Sequence, residues 1–324
     1  MTVRYARAPS ESFLALFRDG GLLHALTEPL ACMVGGQPVW LDLQFRKSDE
    51  AMLYCGQTRL LVVSMQRDSV RVSAHRTYRE QPAAKHLLGR WPASESGSVF
   101  ETALSQYLSS LQVALRWTQS EGAVQARWMM NDPSVNHDVP WTSIDREAVL
   151  TYADDIAPRP QLETAREAAS LLAREEGWAQ PSVRAEGNEL DQLAISSDGR
   201  ELVLIELKPR NGGKAFYSPL QLAGYAFEWA AALSGPSKAA IVRDLNSIVD
   251  AKRTSGLIGA AHSLSDSPVI RPVIGFNNPP SREALRRMPM VWNAISESVA
   301  HPLILHPEIW AWPDGSRPYK VVGL

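Results

Sequence analysis

Apolar residues fall into two regimes along the chain. Between residues 38 and 78 they form short runs, PVWLDLQF, AMLYC, RLLVVSM and SVRVSAH, separated by polar or glycine-containing turns. Runs this short and rich in β-branched and aromatic residues predict strands, and their close succession predicts an antiparallel meander. On either side the spacing is helical. Phe13, Leu14, Leu16, Phe17 and Leu26 predict a helix over 10–28, with Asp19-Gly20-Gly21 as a potential break. Phe100, Leu104, Tyr107, Leu108, Leu111 and Leu115 predict a second over 98–116. Residues 131–140 have loop composition, and Asp154-Asp155 ahead of Pro158-Arg159-Pro160 has linker composition. The expected organisation is therefore an N-terminal helix, β-meander and helix domain over 1–157, and a second domain over 158–324.

The second half alternates. QLETAREAASLLAREE (161–176) is composed of strong helix formers and is closed by Gly177. Three strands are expected near 181–186, 189–196 and 200–208. A helix over 219–234 opens at Ser218-Pro219, a cap and first-turn pair. A helix over 238–256, a strand over 269–276, a helix over 281–298 and a strand over 303–312 follow. The order α-β-β-β-α-α-β-α-β predicts a mixed α/β sandwich, giving an α+β chain overall.

The stretch ELDQLAISSDGRELVLIELK (189–208) holds the most specific chemistry. Asp198-Gly199 between two apolar runs signals a two-residue hairpin turn. With that turn, facing positions sum to 397, so Ile195 faces Leu202, Leu193 faces Leu204 and Asp191 faces Glu206. Both pleat faces are mostly apolar, so the hairpin is expected to be central and covered on both sides. Opposed side chains lie about 4.5–5.5 Å apart at Cβ. Two carboxylates there repel unless they share a proton or a cation. Oxygen-only ligands favour Mg²⁺ or Mn²⁺. Lys208, two residues past Glu206, shares its face. Two carboxylates and an ammonium at the open end of a buried hairpin suit phosphodiester hydrolysis.

The triplet Glu206-Leu207-Lys208 means little alone. With 7 lysines and 35 acids in 324 residues, chance gives about one acid-x-Lys triplet. A second one, Asp250-Ala251-Lys252, sits in an expected helix without a partner carboxylate and reads as a solvated helix face. The first gains its weight from the opposed Asp191; the plainer alternative is a salt bridge at a sheet edge, with Lys208 pairing Glu206 or Glu189.

Asp191 followed by Glu206-x-Lys208, between a preceding and a following helix, resembles the PD-(D/E)XK nuclease superfamily over roughly 161–276. Leu190 stands where that signature has proline. The resemblance implies a restriction-endonuclease-like α-β-β-β-α-β core. It implies Mg²⁺ (or Mn²⁺) held by Asp191, Glu206 and the Leu207 backbone carbonyl, with Lys208 as the catalytic lysine. It further suggests a helix carboxylate reaching the metal, with Glu167 the first candidate and Glu163 the second. Gln221-x-x-x-Tyr225 looks like the QxxxY element of the RecB-like and Cas4-like branches, whose i, i+4 spacing puts both residues on one helical face. The implied activity is a metal-dependent deoxyribonuclease in defence, restriction, recombination or repair. The alternative is an inactive module of the same fold that binds nucleic acid or a protein. DNA is the implied substrate, with RNA left open.

Composition adjusts this reading. Net charge is −2, whereas a protein that only coats nucleic acid is normally strongly basic. Contact must therefore come from local patches. One candidate is 67–91, where Arg67, Arg71, Arg76, Arg79, Lys85 and Arg90 meet only Asp68 and Glu80; another is Arg210 and Lys214 in the 209–219 loop. Asp145-Arg146-Glu147 reads as a surface charge cluster, and the 10 tryptophans mostly as core. Cys32 and Cys55 have no metal-site spacing and are expected to be free thiols in a reducing compartment. With no apolar h-region at the N-terminus and no run of about 20 apolar residues, a soluble cytoplasmic protein is expected. A homodimer or a protein partner would engage the N-terminal domain. No nucleotide-binding glycine motif, zinc-site spacing or GxSxG elbow occurs.

Overall fold

The structure is a computed structural model and describes residues 3–118, 121–129, 139–152, 160–181, 189–208, 215–259, 261–313 and 317–323. The chain forms two compact units. The mixed-sheet unit comprises Met1–Tyr5, His137–Arg243 and His262–Leu324; the meander unit comprises Ala6–Asn136 and Asp244–Ala261. This differs from a single boundary at 157/158. Residues 137–157 belong with the second half, and 244–261 return to the first.

The chain opens with β1 (Val3–Arg4) and α1 (Glu11–Ala15). The helix expected over 10–28 stops early. Gly20 adopts φ +75°, and a Cβ on Gly21 would stand 2.4 Å from the Leu16 carbonyl oxygen, so the chain turns tightly here. Only a 3-10 turn, His24–Leu26, follows. The meander comprises β2 (Ala31–Val34), β3 (Gln37–Lys47), β4 (Glu50–Cys55), β5 (Thr58–Gln66) and β6 (Ser69–Ser73). After the short helices α2 (Arg76–Arg79) and α3 (Ala84–Leu87), β7 (Gly89–Pro92) adds the sixth strand. The sheet runs β2-β3-β4-β5-β6-β7, antiparallel throughout. The four expected strands are present; β2 and β7, at four residues each, carry too little pattern to register. α4 (Gly97–Ser110) ends before the expected 116, and α5 (Glu121–Trp128) follows. Phe13, Phe17 and Phe45 make successive edge-on ring contacts in this unit's core. Cys32 and Cys55 are free, buried thiols with Sγ atoms 3.4 Å apart.

The mixed-sheet unit begins with β8 (Trp141–Ala148) and β9 (Thr151–Tyr152), the latter paired with β1. Then come α6 (Pro160–Glu175), β10 (Leu190–Ser196), β11 (Glu201–Lys208), α7 (Ser218–Ser234) and α8 (Lys238–Thr254). β12 (Val269–Phe276), α9 (Arg282–Ser298), β13 (Glu308–Ala311) and β14 (Tyr319–Gly323) complete it. Strand order is β14-β13-β12-β11-β10-β8. β10 is antiparallel to both neighbours, β11, β12 and β13 are parallel, and β14 is antiparallel at the edge. The protein is thus α+β, with one antiparallel and one mixed sheet. The strand expected near 181–186 falls almost wholly outside the described residues. The outer strand beside β10 is β8, which precedes α6 rather than following it. No described helix is long and apolar enough to cross a membrane.

Two polar stretches are placed differently from expectation. Asp145-Arg146-Glu147 lies on β8, and Arg146 is 0% exposed. Asp145 is also buried, where it accepts a hydrogen bond from the Tyr5 hydroxyl and one from the Arg146 amide at 2.8 Å. Arg146 faces Glu147 at 3.6 Å. Lys252, on α8, is 3% exposed, and its ammonium donates to Gln44 Oε1 at 2.7 Å. The Lys252 partner is distant in sequence whereas Arg146 meets its own neighbour Glu147, and in each case a polar partner offsets part of the cost of burial.

The β10–β11 connection keeps the register expected of Asp198-Gly199 but runs over 197–200 rather than two residues, with the Gly199 amide donating to the Ser196 carbonyl at 2.9 Å. Gly199 has φ +72°, and a Cβ there would lie 2.3 Å from the Ser263 carbonyl oxygen. Gly199→Ala is therefore expected to destabilise the protein by about 2 kcal/mol or more, combining the left-handed penalty with a backbone clash. Urea unfolding of the two proteins at equal m-value checks this.

Candidate active site

The register of β10 and β11 follows from the turn. Ile195 pairs with Leu202, Ala194 with Val203, Leu193 with Leu204 and Gln192 with Ile205. Asp191 and Glu206 are the next positions along. Side chains on both pleat faces are buried, among them Leu193 and Leu204 on one and Ala194 and Ile205 on the other. The hairpin is therefore an interior element.

At its open end three polar side chains emerge on one face. Glu206 is 2% exposed, Asp191 is half-buried, and Lys208 is 23% exposed. The Lys208 ammonium donates to Glu206 Oε1, and at 2.9 Å to Gln221 Oε1. Asp191 Oδ2 accepts the Leu207 amide at 2.7 Å, so the carboxylate caps β11 where ladder pairing with β10 has ended. Glu206 Oε2 is buried and accepts no hydrogen bond among the described residues.

α7 completes this arrangement. Gln221 and Tyr225 lie one turn apart on it. Gln221 reaches Lys208, while the Tyr225 hydroxyl donates to the Glu189 carbonyl at 2.9 Å, just ahead of β10. Burial pushes the Tyr225 phenol well above the usual tyrosine range. The charges of Glu206 and Asp191 push the same way, against a hydrogen bond from Gln221. The phenol is thus a neutral donor, and the chain Lys208–Gln221–Tyr225–Glu189 ties the end of β11 to the start of β10. Ser218, expected as the cap, lies inside the helix. Tyr217 occupies the N-cap position, and the Ser218 hydroxyl donates to the Ala215 carbonyl at 2.6 Å.

The other candidates are not brought in. Glu163 and Glu167 are exposed on α6, whose buried positions are Ala165, Ala169 and Ala173; Glu163 pairs with Arg166 at 3.3 Å. Among the described residues no three His, Cys, Asp or Glu side chains are placed to hold one metal ion together, so Glu167 does not join Asp191 and Glu206. The described contact of Leu207 at the site is its amide rather than its carbonyl. Arg210 and Lys214 lie outside the described residues. Two carboxylates with neither thiol nor imidazole form the donor set of a hard divalent cation, and the residues present fit Mg²⁺ or Mn²⁺.

Comparison with family models, with curated proteins and with solved structures finds no match to this chain.

Tyr225→Phe removes the bond to Glu189 and is expected to cost about 1 kcal/mol at pH 7. The raised phenol pKa keeps the folded form protonated where the unfolded chain ionises. The stability it contributes is present below the unfolded value and is lost as pH rises beyond about 10. Urea unfolding of both proteins across that range is expected to show the gap narrowing with alkalinity.

Proposed function

We propose that the chain is a metal-dependent nuclease of the PD-(D/E)XK kind that hydrolyses phosphodiester bonds in DNA. The observation that carries this reading is the convergence of Asp191, Glu206, Lys208 and Gln221 at the open end of a buried hairpin. The mixed sheet supports it: one antiparallel strand, β10, meets a parallel set at β11, and the polar cluster lies at that junction.

Each side chain has a distinct task in this reading. Asp191 and Glu206 hold the cation, and Asp191 also fixes the end of β11 through the Leu207 amide. A bound Mg²⁺ or Mn²⁺ supplies charge for the phosphate and a water of lowered pKa. Lys208 orients the attacking water or stabilises charge developing on the phosphate. Gln221 holds the Lys208 ammonium, and Tyr225 holds the strand that carries Asp191. Burial around Glu206 keeps these interactions in a low-dielectric surrounding, where each counts for more than in water. Defence, restriction, recombination and repair are the settings that use such an activity.

Plasmid and linear DNA incubated with Mg²⁺ or Mn²⁺ test the proposal. Wild type is expected to cleave, and Lys208→Ala and Asp191→Ala are each expected to lose about 100-fold or more. Equal cleavage by all three proteins overturns the assignment of residues. No cleavage of any nucleic acid by wild type overturns the activity and favours a binding module.

A further inference from the structure

The meander unit carries a second feature with a chemical consequence. On β6 the side chains alternate: Val70 and Val72 are buried, while Arg71 is exposed. Arg71 pairs directly with Arg90 on β7, which is also exposed. On its other side Arg71 faces Ser64, and the same outer face carries Gln66, Ser69 and Ser73. Two guanidinium groups thus stand opposite each other on one face, where like charges destabilise a sheet. Glu50 shares that face beside Ser64 but meets Lys47 at 3.9 Å, and the other groups around the arginines offset their charge little. Arg90 donates to the neutral Gln66 Oε1 at 3.3 Å. Asp68 is exposed in the β5–β6 turn, beside exposed Arg67. On the following short helices, exposed Arg76, Arg79 and Lys85 are accompanied only by Glu80, which faces Arg76 at 3.9 Å. Residues 67–91 carry six Lys and Arg against two acids, in a chain whose net charge is −2.

We propose that this outer face of β5, β6 and β7 is a docking site for the phosphate backbone of DNA. An anion between Arg71 and Arg90 turns their mutual repulsion into two attractions, and the Ser64 and Ser73 hydroxyls and the Gln66 amide donate hydrogen bonds to phosphate oxygens, while the Ser69 hydroxyl donates to the Gln66 carbonyl. Polar small side chains leave the face open to an extended polyanion. The face has no pattern that reads bases, so binding is non-specific in sequence and strongly salt-dependent. The choice of DNA among polyanions rests on the nuclease reading; the anionic class rests on the paired arginines.

The test is fluorescence anisotropy with a labelled duplex, without divalent metal, comparing wild type with Arg71→Glu and Arg90→Glu. Each variant is expected to bind about tenfold more weakly at low salt, with the slope of log K against log salt shallower by about 1. Thermal melting supplies a readout that a purely structural role would move the other way. Arg90→Glu places opposite charges across the strands and is expected to melt at or above the wild-type temperature while binding DNA less. Unchanged duplex affinity overturns the proposal, as does a loss of affinity that comes only with a lower melting temperature. Tighter binding to anionic lipid vesicles than to the duplex overturns the choice of DNA. Duplex binding that depends on these arginines, in a protein that cleaves nothing, leaves this proposal standing and removes the nuclease reading.

Discussion

Like charge at the end of a buried hairpin is the constraint on which the candidate site depends. The Asp198-Gly199 turn sets the register, and the register leaves Asp191 and Glu206 one position beyond the last pair, Gln192 with Ile205, where the ladder has ended. Two carboxylates persist there only if positive charge or hydrogen-bond donors are supplied. The fold provides Lys208 to Glu206, and the Leu207 amide to Asp191. Gln221 and Tyr225 then hold these groups from α7. The site is therefore a consequence of strand register, and its catalytic reading inherits the rigidity of the hairpin.

The same logic appears at other buried polar positions, with a different outcome. Arg271 is held by Glu201 and Glu308, and Glu308 also accepts from Lys320 and the Trp310 indole at 2.8 Å each. Burial raises the Glu308 carboxyl, but these donors and the Arg271 charge outweigh it and hold the group below the usual carboxylate range. Here cations match carboxylates within the sheet. At the Asp191–Glu206 end the described partners are the Lys208 ammonium for Glu206 and the Leu207 amide for Asp191, and the proposed nuclease reading adds a divalent cation between them. On the meander the Arg71–Arg90 pair is like charge of the opposite sign, and the proposed docking adds an anion.

Local signals carried far in this chain. The hairpin, its register and the helices α6, α7, α8 and α9 are legible because turn chemistry and periodicity are written within a few residues. β2, β7 and β14 are not, because strands this short are made by their neighbours in the sheet. Residues 10–28 show the converse: the apolar spacing is helical, yet Gly20 and Gly21 close the chain against Leu16. Distant partners explain the remaining errors. Lys252 looks like a surface charge until Gln44 comes to it, and Arg146 until β8 pairs with β10 in the sheet. Similarly, β8 lies ahead of the expected boundary yet joins the second half's sheet, because α6 separates it in sequence from β10. Glu167 points away from the site because helical spacing gives a face but not which way that face turns; the alanine positions of α6 take the inside.

The central claim is that Asp191 and Glu206 share a divalent cation. Anomalous diffraction from a crystal grown with Mn²⁺ tests it most directly. A peak is expected between the two carboxylates, about 2.0–2.3 Å from an oxygen of each, that disappears in Asp191→Ala. Crystals that take up Mn²⁺ elsewhere, with Lys208 alone between the carboxylates, would contradict it.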